Sequence, residues 1–234
     1  MTHNLMQHAG GGIQIACSDN NYPSQPSARI LIQNNVYNDI SVANWGGRGW
    51  ANEFVMDSNL TNPHDVVIDH NTIFEDQMFV ALGDTGMMNN LQLTNNIADY
   101  GEYGIFGGTQ GTSALATFVS GLSYDRNVFT TTSRGTYPTG TLWANSLAGV
   151  GFTKYSGTDP NLSGNFQLTT KSPYQNAGTD GKDIGVWDWT CLNNDVAAAL
   201  AGTFVPGPGG CAVGEAVGTS APIQPPANLN AVVY

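Results

Sequence analysis

The sequence places Asp69 beside His70 and, further along, Asp125 beside Arg126. Each pair stands directly before an Asn and a β-branched residue, Asn71-Thr72 and Asn127-Val128. A carboxylate that orients an imidazole can make it a general base, and a guanidinium nearby can stabilise the anion left by proton removal. Asp69, His70 and Arg126 are therefore the candidate catalytic residues, although a free guanidinium holds its proton and Arg126 would need strong perturbation to act as the base. The competing reading gives Asp69 and Asp125 to turn hydrogen bonds, and His70 and Arg126 to surface cover.

A second constellation, Asn44-Trp45-Gly46-Gly47-Arg48-Gly49-Trp50, sets two indoles and a guanidinium in a glycine-rich loop. Indole faces stack on the apolar faces of sugars and a guanidinium pairs bidentately with a carboxylate, so Trp45, Arg48 and Trp50 form a candidate binding lip. Simple burial of the tryptophans is the alternative. A third group, Asp39, Glu75 and Asp76, with Asp99 and Glu102 beyond, offers hard oxygen ligands for which Ca²⁺ is the candidate ion. Thr130-Thr131-Thr132 breaks that series. Carboxyl pairs suited to glycoside hydrolysis, such as Asp57 with Asp84, cannot be chosen from sequence. There is no G-x-S-x-G, no H-E-x-x-H, and Gly108-Thr109-Gln110-Gly111 lacks a phosphate-loop Lys.

The elements that position these residues repeat. Four segments share the pattern apolar, any, apolar, any, any, Asn, β-branched: they begin at Ile30, Val66, Leu91 and Leu122 and place Asn at 35, 71, 96 and 127. A weaker series lies between them, Ile13-Gln14-Ile15-Ala16, Glu53-Phe54-Val55-Met56, Met78 to Leu82, and Tyr103 to Phe106. Period-two alternation rich in Val, Ile and Phe predicts short strands, and the Gly and Asn clusters between them leave no room for crossover helices. The irregular spacing suits a solenoid whose coils are joined by loops of unequal length. An Asn at one corner of every coil, tolerant of left-handed backbone, predicts an internal amide ladder.

These Asn-cornered repeats resemble the right-handed parallel β-helix superfamily that includes the pectate lyase-like proteins. The stretch from Asp159-Pro160-Asn161-Leu162 through Lys182-Asp183-Ile184-Gly185 is similar to the closing segment of secreted bacterial β-helix proteins. The resemblance implies an all-β fold, a right-handed single-stranded parallel β-helix with an irregular C-terminal extension. It also implies a secreted or cell-surface protein that binds a polysaccharide and cleaves it by lyase or hydrolase chemistry. In that setting His70 or Arg126 would take the proton α to a uronate carboxylate, and Ca²⁺ would bridge the protein and that carboxylate. The alternative class is a non-catalytic surface or adhesion spacer.

Residues 1–190 are assigned to the β-helix, with further coils expected before Met1 because the first strand signal has no polar cap. Residues 191–204 form an extension with a short helix capped by Asp195, 205–226 a Pro/Gly-rich linker, and 227–234 the first strand of a module resembling fibronectin type III. Of 234 residues only 11% are charged, while Gly reaches 29 and Asn 24. The net charge of -11 disfavours nucleic acid, and no apolar run reaches the ~20 residues that span a bilayer. A monomer is expected. Cys17, Cys191 and Cys211 lack metal-like spacing. For Cys191 and Cys211, a disulfide and two free thiols both remain open.

Overall fold

The computed structural model describes residues 1–205 except 20, 23, 84 and 154–165. The linker and module expected beyond residue 205, and part of the closing segment, lie outside the described residues. The first coil consists of β1 (Leu5–Ala9), β2 (Ile13–Ala16) and β3 (Ala28–Gln33). The next two run β4 (Val36–Ile40), β5 (Trp50–Val55), β6 (His64–Asp69), then β7 (Thr72–Glu75), β8 (Met78–Leu82), β9 (Met88–Thr94). A fourth holds β10 (Ile97–Ala98), β11 (Gly104–Phe106), β12 (Val119–Ser120) and β13 (Ser123–Asp125), and β14 (Asn127–Phe129) and β15 (Thr141–Trp143) close the stack.

From β1 to β12 successive strands visit three sheets in rotation. The first sheet has the order β1-β4-β7-β10-β14-β15, the second β2-β5-β8-β11, and the third β3-β6-β9-β12 with β13 also on β9. All strand pairs are parallel. The fold is thus all-β in its body, with three parallel sheets that each receive one strand from each of the first three coils. Among the described residues the last strand is β15, which ends at Trp143.

Alternation along each strand turns one side chain of two inward, and register stacks like on like. Ile32, Ile68 and Leu93 form one interior row, Tyr37, Ile73, Ala98 and Phe129 another, and Ile15, Phe54 and Leu82 a third. Tyr37, Phe54 and Phe129 are each 1% exposed or less. The first sheet is buried on its other face as well. Val36, Ile97 and Val128, the β-branched residues that follow the ladder asparagines, join a second apolar cluster with Phe152, Phe166, Tyr174, Ile184, Val186 and Trp189. The chain after β15 therefore folds back as a cover over the first sheet.

The amide ladder is present. Asn35 donates from its backbone N–H and its Nδ2 to Asn71 Oδ1 at 3.0 and 2.9 Å, Asn71 does the same to Asn96 at 3.0 Å each, and Asn96 to Asn127 at 3.3 and 2.9 Å. Asn4 adds a rung by donating to Asn35 Oδ1. The left-handed residue, however, is the one before each ladder Asn: His3, Asn34, His70, Asn95 and Arg126 have φ between 51° and 59°. The turn needs one residue to reverse direction and the next to bridge coils, so the two roles expected of one Asn fall on neighbours.

The terminal helix, α3 below, starts at Trp189 and not at the expected Asp195 cap. Asp188 accepts from the Cys191 N–H at 2.9 Å and is the N-cap, while Asp195 is buried mid-helix. The other helices are α1 (Val42–Trp45) and α2 (Thr112–Phe118), with α3 running Trp189–Leu200. Among the described residues no helix is long and apolar enough to cross a membrane.

Candidate functional site

The second sheet presents a groove of about 850 Å³. Its floor is the outward row Gln14, Glu53, Ala81 and Phe106, one residue per coil in register. Buried neighbours on each strand, Ile13, Asn52, Val80 and Ile105, force these side chains outward. Arg48 reaches Glu53 Oε1 at 3.3 Å, and Gln14 Nε2 donates to Glu53 Oε2 at 2.5 Å. Trp50, Met78, Phe106 and Phe118, the last residue of α2, supply apolar lining. The result is an elongated trough with a short polar track and several aromatic rings.

Of the three lip residues, Arg48 and Trp50 line this groove, and Trp45 does not. The Trp45 indole N–H donates to Asp39 Oδ2 at 2.8 Å and its ring lies 5.3 Å from that of His8, on the flank of the first sheet. Gln14, Glu53, Phe106 and Phe118 were not singled out from sequence. The weaker strand series holds the signal that could have found three of them: aligning its segments stacks Gln14, Glu53 and Phe106 in one outward row.

The proposed catalytic residues sit on a wall that the C-terminal cover occupies. His70 is 0% exposed. Its Nδ1 lies 2.8 Å from the Asp183 carbonyl and its Nε2 3.3 Å from Asp180 Oδ1. Asp69 accepts from Gln33, Thr94 and Asn95 at 2.8, 2.7 and 2.9 Å, which occupies both of its oxygens with neighbours in its own stack. Arg126 donates to the Ala177 carbonyl at 2.5 Å. The Asn95 coil separates His70 from Arg126, so they stand about 10 Å apart at two strand spacings. The left-handed column instead serves as a row of pegs. Arg126 holds Ala177, Asn95 holds Thr179 through two hydrogen bonds, His70 holds Asp183, and Asn34 accepts from the N–H groups of Trp187 and Asp188.

The proposed metal ligands are likewise divided. Asp39 accepts only from nitrogen: His8 Nδ1 at 2.9 Å, Trp45 Nε1 at 2.8 Å and Asn44 Nδ2 at 2.8 Å. Burial raises its carboxyl, but the bonds from His8, Trp45 and Asn44 outweigh that and hold it below the ordinary aspartate value. A carboxylate surrounded by N–H donors is a poor cation ligand. Asp76 Oδ2 accepts from the Ser41 hydroxyl at 2.8 Å and the Ala43 N–H at 3.2 Å, which ties it to the start of α1. Glu75 turns elsewhere, toward Asp99. Burial, then repulsion from Asp99 and Asp76, push Glu75 well above its usual value, offset in part by the backbone N–H of Gln77. Burial raises Asp99 to about 6, against the bond it accepts from Thr130.

His3, Cys191 and Asp195 bring potential ligand atoms within 4.8 Å of one another. Cys191 is disulfide-bonded and has no thiolate to offer a metal, while Cys17 is a free thiol. The expected partner Cys211 lies outside the described residues. Comparison with protein-family models, with curated proteins and with solved structures returns no match.

Proposed function

We propose that the three-sheet winding is a length of right-handed parallel β-helix related to the pectate lyase-like proteins, and that the groove on its second sheet binds a polysaccharide chain. The right hand follows from the rule for parallel strands joined by crossovers. The observation that carries the binding reading is the groove itself. Successive coils add one lining position about every 4.8 Å, giving a linear polymer a repeating floor, and Trp50, Phe106 and Phe118 offer rings for sugar faces.

Among the described lining residues Glu53 is the one carboxyl group, and it is paired with Arg48. Two-carboxylate hydrolysis finds no second member among those described residues, and binding is the activity proposed. A secreted or surface location agrees with the disulfide at Cys191. The plain-spacer alternative has no use for an aromatic-lined trough.

The test is calorimetric titration of neutral and uronate oligosaccharides into the full chain, with Phe106→Ala alongside. Binding weakened about tenfold or more by the substitution, with the melting temperature kept within a few degrees, supports the reading. No heat from any glycan at millimolar concentration overturns it.

A further inference from the structure

A second cavity, of about 210 Å³, opens on the first sheet where its strands end, away from the groove. Glu75 closes β7, Asp99 follows β10 and Thr130 follows β14, so three coils deliver oxygen-bearing side chains to one place. Glu75 is 6% exposed, and neither of its carboxylate oxygens has a hydrogen bond of normal geometry. Asp99 accepts one bond, from the Thr130 hydroxyl. Arg134 lines the same cavity, but its guanidinium lies over the Tyr100 ring, 5.3 Å from the centroid, and pairs with neither carboxylate among the described residues.

Gly101 packs closely on this carboxylate: it has φ +55°, and a Cβ there would stand 2.6 Å from Glu75 Oε2 and 2.7 Å from the Gln77 backbone. An orphaned buried carboxylate facing a second one is costly unless a proton or an opposite charge joins them.

We propose that this cavity binds a divalent cation, Ca²⁺, held by the carboxylates of Glu75 and Asp99 with Thr130 or Thr131 oxygen and water. The donors are all hard oxygens, they are unequal in kind, and the cavity is open on one side. That combination suits the flexible six-to-eight coordination of Ca²⁺ better than the strict octahedron of Mg²⁺. The site does not depend on the polysaccharide reading, since it shares no residue with the groove.

The test uses full-length protein stripped with a chelator and melted at pH 7.5 in CaCl₂, in MgCl₂ and in NaCl of matched ionic strength. At a hundredfold excess over Kd, Ca²⁺ should raise the wild-type Tm by about 5–10 °C. Glu75→Gln, which keeps the shape but replaces the charged ligand with a neutral amide, should show no Ca²⁺ shift. Asp99→Asn should also lose the shift. An unshifted wild-type Tm, or a shift that survives in both variants, overturns the proposal.

Discussion

At the level of single residues, the ladder asparagines carry two duties at once. Asn96 bridges to Asn127 and also donates to the carbonyls of Ile68 and Thr94, so its amide closes its own corner and joins three coils. Asn96→Ala would leave buried carbonyls and the Asn71 N–H without partners, a loss of about 1–3 kcal/mol that a denaturant titration would register. A neutral result would show the ladder to be incidental. Asp39 makes a different prediction. Its folded-state pKa is depressed, so its contribution is complete above its unfolded value near 3.8 and vanishes as pH falls through the lower folded value. His8, Trp45 and Asn44 face it directly. Asp39→Asn should therefore lower stability at pH 7 and converge with wild type only as pH falls through the depressed folded value, below 3.8, as followed by thermal melts across pH. The four ladder positions were legible because each recurs in one register beside the same apolar pattern. Asn4 escaped because no apolar run precedes it.

At the level of elements, the main surprise is the cover over the first sheet. A strand that is buried on one face alternates, whereas β4 and β7 are buried at every position. Continuous burial means that something packs outside, and residues 166–192 do so. His70 and Arg126 looked like reactive groups for the same reason that they make good pegs: polar side chains in one column, here two coil spacings apart, face whatever lies against that wall. Gly185 is a tight point of this docking. It has φ +81°, donates to the Asn95 carbonyl at 2.7 Å, and a Cβ on it would meet Thr72 Oγ1 at 2.7 Å and Ile97 Cδ1 at 2.9 Å. Gly185→Ala should loosen the cover while the strands stay intact. Hydrogen exchange should accelerate over 176–188, and β3, β6 and β9 should keep their protection. Equal acceleration in those strands would mean that the cover and the stack unfold as one unit.

At the level of the whole molecule, the charge of -11 acts on any partner that approaches the groove. The one guanidinium in the lining is already engaged by Glu53, so little positive charge is free to attract a polyuronate. Neutral glycans should bind with affinity nearly independent of salt. Polyuronates should bind more weakly at low salt and gain as ionic strength rises from 10 to 150 mM and repulsion is screened, which titration at the two salt levels would reveal. Uronates binding best at low salt would mean that a local positive field dominates. The parallel winding and its corner asparagines were written in the sequence, because strand periodicity and a recurring turn residue are local properties repeated at intervals. Which candidate residues share a site was not, since that depends on how coils of unequal length stack and on where the returning chain lies. Stacking joined Arg48 to Glu53 and Gln14, and Glu75 to Asp99. The returning chain buried His70. Both are long-range packing choices, driven by the apolar faces that had to be covered, and no local pattern around those residues carries them.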